Sequence, residues 1–304
     1  VLSVVALAAI VPLSGYVVVK IHGPKIEREA YTTLEAIAEL KTGQIESWLE
    51  ERKNDGNIFK SKPGFIRQVD ALQKSDSKEV LEDVRARFMA SLESLGYDNA
   101  MLVDSQGKML IALGSCHQLE PAVRELLSKA LVSRQSQRSD IYTDANGLRY
   151  IDLIIPLIMD GKSEPNLVGA VILHDTPDHF LFPFIQHWPT ASGSGETLLV
   201  RRDGDTVLYI SELRHRKADD SPMSLPLTRT DFPAVVAITQ GKPGRIQGSD
   251  YRGVTVLAAF RPVRGTDWVI VSKLDRSEVM APLRDLAFWV SMIALLAIAA
   301  VCVL

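Results

Sequence analysis

Apolar residues run without a charge from Val1 to Val19 and again from Ala287 to Leu304, and every acidic or basic side chain lies in residues 20–286. At 1.5 Å rise per residue, such runs extend roughly 27–28 Å, close to the bilayer hydrocarbon thickness of about 30 Å. Both predict membrane-spanning helices. No basic segment precedes the first run and no small-residue cleavage site closes it, which sets it apart from a signal peptide. The second has no polar stripe, Ser291 and Cys302 being its mildly polar members. Beyond Lys20 the pattern turns amphipathic. Ile26, Ala30, Leu34, Ile37, Leu40, Ile45, Trp48 and Leu49 recur at helical spacing, with Glu27, Glu35, Glu39 and Glu50 on other faces. One helix from Pro24 to Lys60 would be roughly 55 Å long, a spine for more than one module.

Two blocks of similar order follow. The first has helices at Pro63–Ala71 and Lys78–Leu95, then strands Asn99–Val103 and Lys108–Leu113 around an Asp-Ser-Gln-Gly turn. A helix over Pro121–Ser133 leads to strands Ser139–Tyr142, Leu148–Ile158 and Asn166–His174, separated by loops at 144–147 and 160–165. The second block repeats the order with strands Thr197–Arg202 and Thr206–Ile210, a helix Phe232–Thr239, and strands Gly244–Gly248, Val254–Val263 and Trp268–Leu274. Each block predicts an α+β unit with a five-stranded antiparallel sheet.

Charge and cysteine content narrow the function. Lys and Arg number 34 against 37 Asp and Glu, so no strong basic field points at nucleic acid. Cys116 is the one cysteine outside the apolar runs, which leaves no disulfide for the soluble part. The start at Val1 and the stop inside the second run are expected to mark a segment of a longer polypeptide, with further domains after Leu304.

The order of span, long helix, two PAS-like sheets and return helix resembles the double Cache (dCache) sensor domains of bacterial membrane receptors. So do local strings: Phe180-Leu181-Phe182-Pro183-Phe184-Ile185-Gln186-His187-Trp188-Pro189, Gly195-Glu196-Thr197-Leu198-Leu199-Val200-Arg201-Arg202-Asp203-Gly204, Glu212-Leu213-Arg214-His215-Arg216 and Asp250-Tyr251-Arg252-Gly253-Val254. The resemblance implies spans at 1–19 and within 277–304, a spine at 20–62, a membrane-distal Cache module at 63–178 and a membrane-proximal one at 179–276. It also implies a homodimeric extracytoplasmic sensor in a bacterial inner membrane, ahead of a histidine kinase or diguanylate cyclase, with no catalysis in this segment.

Motifs of catalysis are missing from the sequence. Ser192-Gly193-Ser194-Gly195 lacks the Lys-Ser/Thr ending of a phosphate loop and is expected to link the modules flexibly. His174 and His179, with Asp175 and Asp178 nearby, do not have helical metal-ligand spacing, and no metal or cofactor is expected. A small-molecule pocket in the distal module is the favoured chemistry. Alternation along Leu148–Ile158 places Tyr150 and Asp152 on one face with Ile154, and Arg149 on the other with Ile151 and Leu153. A carboxylate inside so apolar a strand needs a partner, so Asp152 calls for a ligand or for Arg149 or Arg138. Tyr142 and Tyr150 are candidate pocket walls or plain core. Asp175 has the place of an aspartate that holds the ligand amine in amino-acid-binding family members, although no Arg-x-Trp-Tyr string precedes it; alternatively it caps the turn before Phe180. Tyr251 and Arg252 suggest either a turn-anchoring salt bridge or a ligand contact.

Overall fold

The computed structural model describes residues 2–75, 77–114, 118–144, 147–161, 165–216 and 223–303. Cys116 and the centres of the 144–147 and 160–165 loops lie outside them. The chain folds as two compact units, Ser47–Pro183 and Val1–Glu46 with Phe184–Leu304. Helix α1 (Leu2–Lys60) opens on the first apolar run and continues unbroken through Pro24. Proline has no N–H, so the carbonyl of Lys20 loses its helical partner there.

In the unit 47–183, α2 (Pro63–Gln73) and α3 (Lys78–Leu95) lead into β1 (Asn99–Asp104) and β2 (Met109–Leu113). Asp104 Oδ1 closes the hairpin turn by accepting from the backbone N–H of Gln106 and Lys108, both at 2.8 Å. Then come α4 (Pro121–Ser133), the short β3 (Gln137–Arg138) and β4 (Tyr142–Thr143), and the long β5 (Arg149–Met159) and β6 (Asn166–Asp175). The sheet order is β2-β1-β6-β5-β3, with β4 pairing to β5. Each face has its own core. Leu153, Ile155, Leu157, Val171 and Leu173 pack with Phe59, Phe65 and Phe88 of α1, α2 and α3. Ile154, Ala170 and Ile172 pack with Val123, Leu127 and Ala130 of α4. On the first face α1 sits so close that a Cβ at Gly56 would meet Ile155 Cγ1 at 3.0 Å, so any larger residue would have to displace that side chain.

After α5 (Leu181–Gln186), the other unit builds β7 (Glu196–Asp203), β8 (Thr206–Tyr209), β9 (Ser224–Pro226), α6 (Pro233–Gln240), β10 (Gly244–Ser249), β11 (Thr255–Pro262) and β12 (Trp268–Asp275). Its sheet order is β10-β11-β12-β7-β8-β9. Both sheets have six strands among the described residues, one more than expected, because two- and three-residue strands such as β4 and β9 are too short to show a periodicity. Helix α6 covers one face of this sheet, and Leu34 of α1 reaches Leu257 and Ala259 on the other. The chain leaves through α7 (Arg276–Val279) and α8 (Ala281–Val303).

The Ser192–Gly195 loop is pinned instead of flexible. Glu278 of α7 accepts from Ser192 Oγ (2.6 Å) and from the N–H (2.9 Å) and Oγ (2.5 Å) of Ser194. Burial opposes the Glu278 charge, but these donors hold its carboxyl below the usual range. Among the described residues one helical segment, Ala281–Ala300, is long and apolar enough to cross a bilayer. The expected first span falls at the start of α1, where the side chains of residues 1–14 lie outside those described.

Lys41 gives this unit a pH signature. Its buried Nζ donates to the carbonyls of Phe184 (2.5 Å) and His187 (2.7 Å) at the end of α5. Burial pushes its pKa down from 10.5 to about 8. The unfolded chain therefore binds more protons than the native one between those values, so stability rises with pH from about 8 to 10.5. Lys41→Met is expected to remove that alkaline gain, which is at most about 3 kcal/mol before solvent screening. Guanidinium unfolding of both proteins at pH 7.5 and 10 measures it; equal gains in the two would contradict it.

Candidate functional site

The sheet of the unit 47–183 has a polar corner where β5 and β6 pair Asp152 with His174. Directly opposed residues of an antiparallel pair share a face, here the α4 face that also carries Ile154 and Ile172. Asp152 is 1% exposed. His174 Nδ1 donates to its Oδ1 at 2.5 Å and the Tyr142 hydroxyl to its Oδ2 at 2.7 Å. The imidazole lies on the Tyr150 ring with centroids 3.9 Å apart, and Tyr142 leans on Tyr150 at 6.2 Å. The corner's backbone is tied as well: Ser139 Oγ accepts from the Asp152 N–H at 2.8 Å, and the Ser139 N–H donates to the Asp152 carbonyl at 2.8 Å.

Three of the five expected residues thus meet: Tyr142, Tyr150 and Asp152. Asp175 sits outside that hydrogen-bonded corner but lines a small pocket together with Asp152, Arg52 and Tyr97. It pairs with Ile151, and that register turns it to the opposite face with Leu173. There it lies 3.5 Å from Arg52 of α1, which also reaches Asp55 at 3.2 Å. Tyr97 completes this patch by donating its hydroxyl to Asp55 at 3.1 Å. Desolvation is the main influence on both carboxylates and raises their pKa values against the pull of the guanidinium. Asp175 also fills the capping role, since its Oδ1 accepts from the Thr176 N–H at 2.8 Å. Arg149, on the same face by alternation, is ion-paired with Asp178 and lies 4.2 Å over the Phe182 ring.

His174, Arg52, Asp55 and Tyr97 were not singled out as site residues by the sequence pattern. The sequence pattern marks His174 only as a possible metal ligand with His179, and among the described residues no cluster of three or more potential ligands exists. The signal that finds it is register: an Asp and a His placed opposite each other inside two apolar strands. In the other unit, Arg252 anchors a turn, bonding Asp250 (Nε, 2.7 Å) and pairing with Asp275.

A long helix carrying two antiparallel sheet modules, one of them with a polar corner buried in apolar strands, defines a tandem PAS-like sensor. The Cache-domain model dCache_1 matches residues 23–283, and the chain belongs to that family. No curated protein sequence matches it. Among solved structures, the periplasmic sensory domain of the Campylobacter jejuni chemoreceptor Tlp1 is similar at TM-score 0.57 and 14% identity, over 84% of this chain and 99% of that one. The extracellular domain of vpHK1S-Z8, assigned to a histidine kinase, aligns at TM-score 0.54 and 14% identity, over 85% and 94%. The ligand-binding domain of the Pseudomonas aeruginosa amino-acid chemoreceptor PctB, solved with L-Arg, aligns at 0.52 and 17%, over 84% and 98%. At these identities the likeness concerns fold.

Proposed function

We propose that residues 20–286 form the extracytoplasmic small-molecule sensor of a homodimeric receptor in a bacterial inner membrane, of the histidine kinase kind, with a diguanylate cyclase as the alternative output. The observation that carries this reading is the corner of Asp152, His174, Tyr142 and Tyr150. A carboxylate desolvated on an apolar strand, gripped by a rotatable tyrosine hydroxyl, is a receptor for a ligand that offers a cationic or N–H donor edge. Organic amines and nucleobases have that chemistry, and the two tyrosine rings can flank a flat or small one. Asp175 and Arg149, on the other face, act in this reading through their pairs with Arg52 and Asp178.

Both apolar runs serve as spans in this proposal. Support comes from Gly15 of α1, where a Cβ would meet Ser291 Oγ of α8 at 2.8 Å with Ala287 alongside, the small-residue packing that suits helices in lipid. Ligand capture would bias two arrangements of the distal module, and α1 and α7–α8 are the exits to the membrane.

Thermal-shift screening of the chain in detergent against amines, polyamines, nucleobases and carboxylates tests the proposal. One compound should raise the melting temperature with the logarithm of its concentration above Kd, with about 2.7 kcal/mol of added stability at a hundred times Kd, and Asp152→Asn should abolish the response. No response to any donor-bearing compound would favour the second reading, a module that docks a periplasmic protein. An open groove of about 640 Å³ between the β1–β2 turn and α4 favours it, with Val132 exposed on its rim.

A further inference from the structure

The two modules share their strand order, and the pairings identify equivalent positions. In the first sheet His174 of β6 opposes Asn99, the first residue of β1; in the second Lys273 of β12 opposes Glu196, the first residue of β7. Lys273 is 1% exposed. Its Nζ lies 2.8 Å from Glu196 Oε2, 2.7 Å from Asp250 Oδ2 and 4.8 Å from the centroid of the Tyr251 ring. Two carboxylates and an aromatic face are what a primary ammonium ion needs when it leaves water.

The receiving groups are held independently of the lysine. Glu196 also accepts from the Tyr251 hydroxyl (2.9 Å) and from the Arg214 N–H (2.7 Å). Asp250 accepts from Arg252 Nε (2.7 Å) and from the N–H groups of Arg252 (2.9 Å) and Val254 (3.2 Å). The cradle is thus preorganised by groups other than Lys273, and the ammonium reaches it on a four-carbon tether.

We infer that this corner of the second module is a primary-ammonium site occupied in cis by Lys273, so that the module carries its own internal ligand. The tether fixes the end of β12 two residues ahead of Asp275, where the chain turns into α7. A module filled in this way relays the position of its exit strand and takes no amine from solution.

Chemical rescue tests the assignment. Lys273→Ala, made in the full chain, removes the portion that n-propylammonium can replace. The variant should melt well below the wild type, and millimolar n-propylammonium should raise its melting temperature saturably while leaving the wild type unmoved. Propionate and n-propanol should not do so. Absence of rescue, or equal rescue by n-propanol, would overturn the assignment, the latter showing a cavity that only needs filling. Lys273→Met, which keeps the packing and deletes the charge, decides the matter if the alanine variant does not fold. A methionine variant as stable as the wild type would overturn the inference, and a large loss of stability is expected.

Discussion

Asp152→Ala is expected to destabilise the chain by about 3 kcal/mol, and part of that loss should vanish when His174 is also replaced by leucine. Asp152 and His174 are nearly solvent-free, and the alanine leaves an imidazole N–H and the Tyr142 hydroxyl without their shared acceptor. Breaking a buried charged pair costs about 3–5 kcal/mol, and leaving a neutral donor unsatisfied about 1–3 kcal/mol. The expected loss lies where the two ranges meet. Replacing His174 as well removes the imidazole N–H and leaves the Tyr142 hydroxyl in place, so the cycle should show coupling of about 1–3 kcal/mol. Urea unfolding of the wild type, the two single variants and the double variant measures it. Strict additivity would show that the pair is not a unit and would remove the physical basis for a ligand corner there.

The second large effect is expected at Phe59, whose ring centroid lies 6.0 Å from those of both Phe65 and Phe88. It is fully buried. Truncating such a ring costs about 3–5 kcal/mol, the exact value depending on how far the surroundings collapse. Here collapse is restricted, because α1 one turn earlier already lies close against Ile155 and Leu153 of the sheet at Gly56. Phe59→Ala should therefore fall near the upper end, a large part of the about 5–15 kcal/mol by which domains are stable. Hydrogen exchange should show β1, β5 and β6 losing protection; unchanged exchange in those strands would falsify the role given to Phe59. Phe59→Leu, which keeps more of the volume, should lose less.

Much of this architecture could be read from residue order because its signals are local. Pro63 and Pro121 open helices where a missing N–H costs nothing, and Gly96 closes α3 with a left-handed φ of 74°. Asp104 announces its hairpin by side-chain bonds to its own turn. The site was harder. Alternation placed Tyr150 and Asp152 on one face, but which residue of β6 would face them depends on inter-strand register, a non-local quantity that a one-residue slip reverses. Hence the sequence makes Asp175 and Asp152 both candidates for ligand contact with no relative placement, and the register sets His174 opposite Asp152. Charge clusters suffered similarly: Lys273, Glu196 and Asp250 are far apart in sequence, and nothing local marks them as one group. Ser192–Gly195 was expected to be loose because glycine and serine suggest flexibility, whereas Glu278 supplies the missing acceptor from more than eighty residues away.

The passage of α1 through Pro24 has a mechanical consequence. Between Gly15 and Lys60 this is the one proline, so one rung of the hydrogen-bond ladder is missing at Lys20, just where the apolar run ends. A missing rung lowers flexural stiffness without shortening the rod, and sharp helix bends concentrate at such points. Bending of α1 is therefore easiest at that joint, whereas thrust along the axis still passes through stacked peptide units.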